Sequence, residues 1–186
     1  YPIAGEAFPD NHTFKKHPRG FTHKNDWRRD NVTEIIKQLN KTIKKAKPWV
    51  EFGISPFGVW RHEGKDPRGS ATQKSLTNYD DLYADILKWL KEDYIDYVVP
   101  QLYWEIGKKN HDYKTLVEWW SKNNYGKNLY IGLFASGFEQ YKSAAWQNSN
   151  ELIRQLELNK KHPNIQGVMF FSAKTFIKNY QGLNTI

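Results

Sequence analysis

The sequence contains no cysteine. That excludes disulfides, thiolate metal sites and a cysteine nucleophile, and it leaves the compartment open, because exported chains can also do without the residue. Long hydrophobic runs are missing too. Nothing approaches the roughly 18 uninterrupted apolar residues that a membrane span requires, so none is expected, and the stretch Tyr1-Pro2-Ile3-Ala4-Gly5-Glu6 lacks the charged-then-apolar order of a signal peptide. Neither G-x-G-x-x-G nor G-x-x-x-x-G-K-[ST] opens a helical segment, which argues against a nucleotide cofactor. His12, His17 and His23 lie close together, but their irregular spacing matches no metal-site pattern. No cofactor and no metal are expected.

Aromatic residues are what the chain has in quantity. Eight Trp, eleven Tyr and ten Phe make up 16% of the 186 residues, more than a core of this size needs, so some rings are expected to line a concave surface. The net charge is +8, which would suit an anionic polymer. Much of it, however, sits on one helical segment as Lys37, Lys41, Lys44, Lys45 and Lys47, the pattern of a solvated outer face. Nucleic acid is therefore not the expected partner. That reading would need a contiguous basic face beside exposed rings and binding that falls steeply with salt.

Four apolar runs read as buried strands: Trp49 to Phe57, Ile95 to Trp104, Leu129 to Ala135 and Ile165 to Ser172. Near-continuous runs such as Val168-Met169-Phe170-Phe171 suit parallel strands covered on both faces. Between them stand helical patterns at i, i+3, i+4 spacing: Val32, Ile35, Ile36, Leu39 and Ile43; Leu82, Tyr83, Ile86, Leu87 and Leu90; Leu116, Val117, Trp119 and Trp120; and Leu152, Ile153 and Leu156. Asn31, Asn78 and Asp112 are placed as start signals, and Pro48 and Pro163 follow the first and last helix. The order is αβαβαβαβ in a single domain over 1–186, with residues 1–26 an irregular loop. Strand starts at 49, 95, 129 and 165 lie 46, 34 and 36 residues apart, close to the roughly 31 of a (β/α)8 barrel unit. The excess in the first gap is a polar loop over 58–78, which leaves a strand's C-terminal end, where barrels keep their active-site loops.

The segments Asp26-Trp27-Arg28-Arg29-Asp30-Asn31, Gly53-Ile54-Ser55-Pro56-Phe57-Gly58-Val59-Trp60-Arg61, Tyr79-Asp80-Asp81-Leu82-Tyr83-Ala84-Asp85 and Asp96-Tyr97-Val98-Val99-Pro100-Gln101-Leu102-Tyr103-Trp104, together with Phe170-Phe171-Ser172, resemble the family 10 glycosyl-hydrolase-like proteins. The likeness runs over most of the chain. It implies a (β/α)8 TIM barrel, export to the bacterial envelope (periplasm, cell surface or extracellular) and hydrolysis of glycan chains, with some members acting on peptidoglycan strands. It also implies that an Asp-Asp-Tyr segment ending the fourth strand lies upstream of Tyr1. The expected fold class is therefore α/β, a partial barrel of about four β/α units, strands 5 to 8, all parallel. Such a half barrel leaves backbone groups unpaired on its two outer strands, so self-association through those edges, or continuation into a longer chain, is expected.

Glycoside hydrolysis needs two carboxyl groups facing one cleft. Glu105 follows the strand Ile95 to Trp104, the place from which a barrel projects catalytic side chains, and is the catalytic candidate; a solvated or substrate-contacting loop acid is the alternative. Glu63 and Asp66, in the long loop, could reach the cleft but read first as surface charges. Gln101, a polar residue inside a strong strand, needs partners for its amide, either neighbouring side chains or sugar hydroxyls. Tyr103 and Trp104 should point to opposite faces, one into the mouth and the other under a helix. Trp60 would offer a flat ring to a pyranose and Arg61 a bidentate donor, against loop packing and an ion pair. Ser172, ending the last strand, can bond a ligand or cap local backbone. The expected function is a glycoside hydrolase, or a fragment of one inactive alone, acting on a bacterial polysaccharide such as cell-wall glycan; the alternative is a non-catalytic carbohydrate-binding barrel.

Overall fold

The computed structural model describes residues 6–147 and 149–185. Four parallel strands, β1 (Gly53–Ile54), β2 (Tyr97–Val98), β3 (Asn128–Leu133) and β4 (Ile165–Phe170), pair in the order β1-β2-β3-β4. The fold is α/β, a partial barrel-like array of four strand-helix units. The ladder is uneven for a chemical reason. Pro56 and Pro100 sit inside the apolar runs that contain β1 and β2, and a proline has no N–H to give to a neighbour. Their carbonyls still accept, from Gln101 N at 3.0 Å and Gly132 N at 2.9 Å. Pairing resumes beyond them as single bridges, Phe57 with Gln101 and Gln101 with Gly132. No proline interrupts β3 or β4, and these two pair over five residue pairs with one irregularity at Leu129/Tyr130.

The helices cover one face. They are α1 (Asn11–Lys16), α2 (Lys24–Ala46), α3 (Ile86–Lys91), α4 (Tyr113–Lys122), α5 (Gly137–Gln140), α6 (Asn150–Asn159) and α7 (Ala173–Ile177). Val98, Leu129, Ile131 and Leu133 from the sheet and Ile36, Ile86, Leu90, Leu116, Trp120 and Leu152 from the helices form one core. By strand alternation the other face carries Tyr97 and Tyr130, whose rings meet edge to face at 5.8 Å. The Trp89 indole N–H of α3 donates to Thr33 Oγ1 of α2 at 3.0 Å, which fixes α2 as the outermost helix beside β1.

Several sequence expectations are adjusted. Residues 1–26, read as an irregular loop, contain α1 and the first turn of α2; residues 1–5 lie outside the described residues. Asn31 is not a start signal, because α2 begins at Lys24 after His23. Asn78 does not start a helix either. Its side-chain amide donates to Phe57 O at 2.7 Å and Val59 O at 3.0 Å, so it ties down the long loop, and α3 starts after Asp85, whose carboxylate accepts from Lys88 N. Asp112 does cap α4, accepting from Thr115 N at 3.0 Å. Of the apolar stripe on α2, Ile36 is buried, whereas Ile35 and Leu39 remain 57% and 45% exposed, because only one flank of the helix meets α3.

Candidate functional site

The C-terminal ends of the strands form a mouth with two unlike sides. On the β1–β2 side the loop 58–78 folds inward on itself. Gly58 is needed at its root, since a Cβ there would come within 2.5 Å of Gln101 O and 2.7 Å of the Trp104 ring. Trp60 is 1% exposed. It stacks on Trp119 with ring centroids 6.0 Å apart, meets Tyr79 edge to face at 5.4 Å, and lies under the Arg68 guanidinium. Its ring is a packing element of the loop and presents no open face to a pyranose. Arg61 is engaged likewise: two bonds of 3.0 Å reach Asp80 and another of 3.0 Å reaches Asp66. Arg68 donates to the same Asp66 carboxylate at 3.0 and 2.7 Å. The Arg68 guanidinium beside Asp66 holds that carboxyl well below the usual carboxylate range, against the upward pull of burial. Asp66 is thus a buried hub of the loop. His62 closes the network through Thr72 Oγ1 at 2.9 Å and Ser75 O at 3.1 Å.

Gln101 lies at the centre of the mouth, where its amide donates to Ser55 O at 3.1 Å and Ser55 Oγ at 3.4 Å. Ser55 in turn donates to Val99 O at 2.9 Å. Tyr103 and Trp104 separate as alternation requires. Trp104 packs beneath the loops, edge-on to Phe57 at 5.4 Å and stacked on His111 at 5.1 Å. Tyr103 turns to the β3–β4 side and stacks on Phe134 at 4.8 Å and Phe171 at 5.9 Å.

Phe134, Phe171 and Tyr141 are the residues that sequence reasoning missed. Phe134 is buried and serves as the base of the cluster, with Tyr141 edge-on at 5.4 Å. Phe171 and Tyr141 are 53% and 46% exposed. The available signal was the alternation in Phe170-Phe171-Ser172: Phe170 turns away to meet Phe176 at 4.9 Å, which leaves Phe171 for the mouth. Ser172 is half-buried behind it, and its backbone N–H donates to Ser136 Oγ at 3.2 Å.

Glu105 sits in the loop after β2. Trp146 Nε1 donates to its Oε2 at 2.9 Å and Lys108 Nζ to its Oε1 at 2.9 Å. Burial pushes this carboxyl up, but the Lys108 ammonium and the Trp146 indole N–H outweigh burial, and its pKa lies below the usual glutamate value. An ionised, oriented carboxylate suits a base, a nucleophile or an acceptor for a sugar hydroxyl; a general acid would need the opposite shift. Trp146 is fully buried against Phe138 and Phe134, so Glu105 is anchored to the aromatic side of the mouth. Among the described residues no group of three or more His, Asp or Glu side chains is arranged to hold a metal ion, and no helix is long and apolar enough to cross a membrane.

The chain is 45% identical over 186 residues to glycosyl hydrolase YngK of Bacillus subtilis (strain 168), covering 98% of this chain and 36% of that protein. It is 37% identical over 174 residues to glycosyl hydrolase DigH of Escherichia coli (strain K12), covering 90% of this chain and 39% of that protein. The chain therefore spans under two fifths of the length of these relatives. A sequence model of the glycosyl hydrolase-like 10 family matches residues 1–170, and the chain belongs to that family.

Proposed function

We propose that this chain supplies the substrate-binding wall of an exported glycoside hydrolase acting on bacterial cell-wall glycan strands, with residues outside this segment completing the catalytic pair. Family membership supports a glycosidase-like function and a carbohydrate substrate. The observation that carries the reading is the pair of exposed rings, Phe171 and Tyr141, beside the Gln101–Ser55 amide-hydroxyl pair. Sugars present apolar C–H faces to aromatic rings and hydroxyls to amides and carboxylates, and this mouth offers both. Glu105, held ionised at its edge, accepts a sugar hydroxyl or acts as one of the two carboxylates such hydrolysis requires.

A second reading, a non-catalytic glycan-binding barrel, is favoured by one observation: both Glu105 oxygens already accept bonds from Lys108 and Trp146. The two readings part in one experiment. This chain and its full-length relative YngK are incubated with purified peptidoglycan glycan strands and with a panel of neutral polysaccharides, and released oligosaccharides are scored by mass spectrometry. Retention of glycan strands by this chain, with cleavage by the longer protein alone, is the expected result. Retention without cleavage by either supports the binding protein. No retention of any glycan by this chain overturns both.

A further inference from the structure

Glu151 is a buried carboxylate that the chemistry of the mouth leaves unused. It lies in the first turn of α6, 2% exposed, and the fully buried Gln155 stands one turn further along the same face. A charge at that depth is costly unless it is paired and hydrogen-bonded, and Glu151 is both. Ile106 N donates to its Oε1 at 2.7 Å, Gln155 Nε2 donates to the same oxygen at 2.9 Å, and Arg154 Nη1 donates to Oε2 at 3.3 Å. Gln155 Nε2 also donates to Trp104 O at 3.1 Å. The Trp104 carbonyl belongs to the peptide group before Glu105, and the Ile106 N–H to the one after it. Two side chains of one helix therefore hold both peptide groups that flank Glu105.

The Glu105 side chain is held from the same segment. Trp146, in the 3-10 turn Ala144–Gln147 just ahead of α6, is fully buried, and its indole N–H donates to Glu105 Oε2 at 2.9 Å. Lys108, on the other oxygen, has a side chain 44% exposed, so solvent screens it and its own rotamer freedom makes it a poor anchor. The fixed contacts are thus the indole and the two clamped peptide groups. We propose that Glu151, seconded by Gln155, is the positioning residue of Glu105: by fixing the peptide group on either side, it keeps the Glu105 carboxylate on the Trp146 indole, where a glycan can meet it. A carboxylate suits this task, because three donors converge on it and none asks for an acceptor in return. Glutamine would still offer an oxygen to the Ile106 N–H. Leucine, of similar volume, would leave that N–H buried and unpaired, and the backbone of Glu105 free to turn its side chain off the indole. Tyr141 tilts against Trp146 at 6.0 Å, so one segment also sets the spacing between an exposed ring and the carboxylate. What Glu105 does with a sugar rests on the carbohydrate reading above; how it is held does not.

The Trp146 indole N–H resonance reports the ionisation of Glu105 across their bond, so proton-nitrogen NMR of the chain during a pH titration tests the proposal. Trp146→Phe identifies the resonance by its loss, and Glu105→Gln abolishes its titration. In the wild type the midpoint is expected below the ordinary 4.5 of a glutamate. In Glu151→Leu it should rise to 4.5 or above, because the burial remains and the indole bond is lost, whereas Glu151→Gln should keep the wild-type midpoint. Gln155→Met, which fills the same space without the amide, should move it in the same direction by less, and it serves as the test should Glu151→Leu not fold. An unmoved midpoint in the folded variants overturns the proposal, as does a wild-type midpoint at or above 4.5. Binding of glycan strands, by calorimetry, separates this outcome from the carbohydrate reading: Glu105→Gln and Glu151→Leu should each weaken it about tenfold. A loss in Glu105→Gln with none in Glu151→Leu also overturns the proposal. A wild-type chain that binds no glycan while the midpoints shift as expected sustains the positioning and sinks the carbohydrate reading alone.

Discussion

On the β1–β2 side of the mouth the loop 58–78 spends its chemistry on itself: Trp60 is sandwiched, Arg61 is shared between two carboxylates and His62 is bonded through both ring nitrogens. On the β3–β4 side the connection after β3 runs through α5 and the 3-10 turn Ala144–Gln147 to α6, the one after β4 leads directly into α7, and together they leave Phe171 and Tyr141 open. Both sides are aromatic, but only one has rings facing outward. The long loop is a wall that must hold its own shape without a strand ladder beneath it, since β1 and β2 pair over just two residues. The connections after β3 and β4 rest on a five-pair ladder, and Trp146 packs the first of them from below, so Phe171 and Tyr141 remain available.

Two substitutions would break this contrast if it is misdrawn. Trp60→Ala should cost about 3–5 kcal/mol of stability, because a fully buried ring leaves a cavity and unseats Trp119 and Arg68; chemical denaturation checks it. Glycan-strand retention by the folded fraction should be unchanged. A loss of retention at unaltered stability would move the ligand to the β1–β2 side. Phe171→Ala should do the reverse. A half-exposed ring contributes about 1 kcal/mol or less to folding, while removal of a stacking face should weaken binding of glycan strands about tenfold by calorimetry, some 1.4 kcal/mol. Equal binding by wild type and variant would remove Phe171 from the site.

How much of this was legible in the sequence follows from where local signals compete with tertiary ones. β3 and β4, without internal prolines, appear where their apolar runs fall, and α4 begins at the Asp112 cap. The parallel αβ order and the outer positions of β1 and β4 were also legible. The extent of β1 and β2 was not, because an apolar run and a paired strand are different things once Pro56 and Pro100 remove donors. Asn78 looks like a cap because Asn caps helices, yet its amide is consumed by the carbonyls of Phe57 and Val59. At the site, Tyr103 and Trp104 could be assigned to opposite faces from alternation alone. Trp60 and Arg61 could not be placed, because their surroundings come from Trp119, Asp66 and Asp80, and no local spacing encodes those contacts.

The smallest effect sharpens the comparison at the join of the two sides, where His111 stacks on Trp104 under the long loop. Its Nε2 is buried with no hydrogen-bond partner among the described residues. Burial first, and then the nearby His62, lower its pKa below 6.5; the Gln73 backbone works the other way, and Lys108 adds a smaller push downward. Well above pH 6.5 the ring is neutral in both folded and unfolded chains and adds no pH dependence. As pH falls through that value the unfolded chain takes the proton first, so stability declines, and the decline levels off once the folded ring is also protonated. Solvent screening of this partly exposed group keeps the loss small. Thermal unfolding of wild type between pH 7.5 and 5.5 should therefore show a small fall in Tm that His111→Phe, which keeps the stack on Trp104, abolishes. A fall of the same size in the variant would assign the pH dependence to other groups, and the two sides of the mouth would then be joined by packing alone.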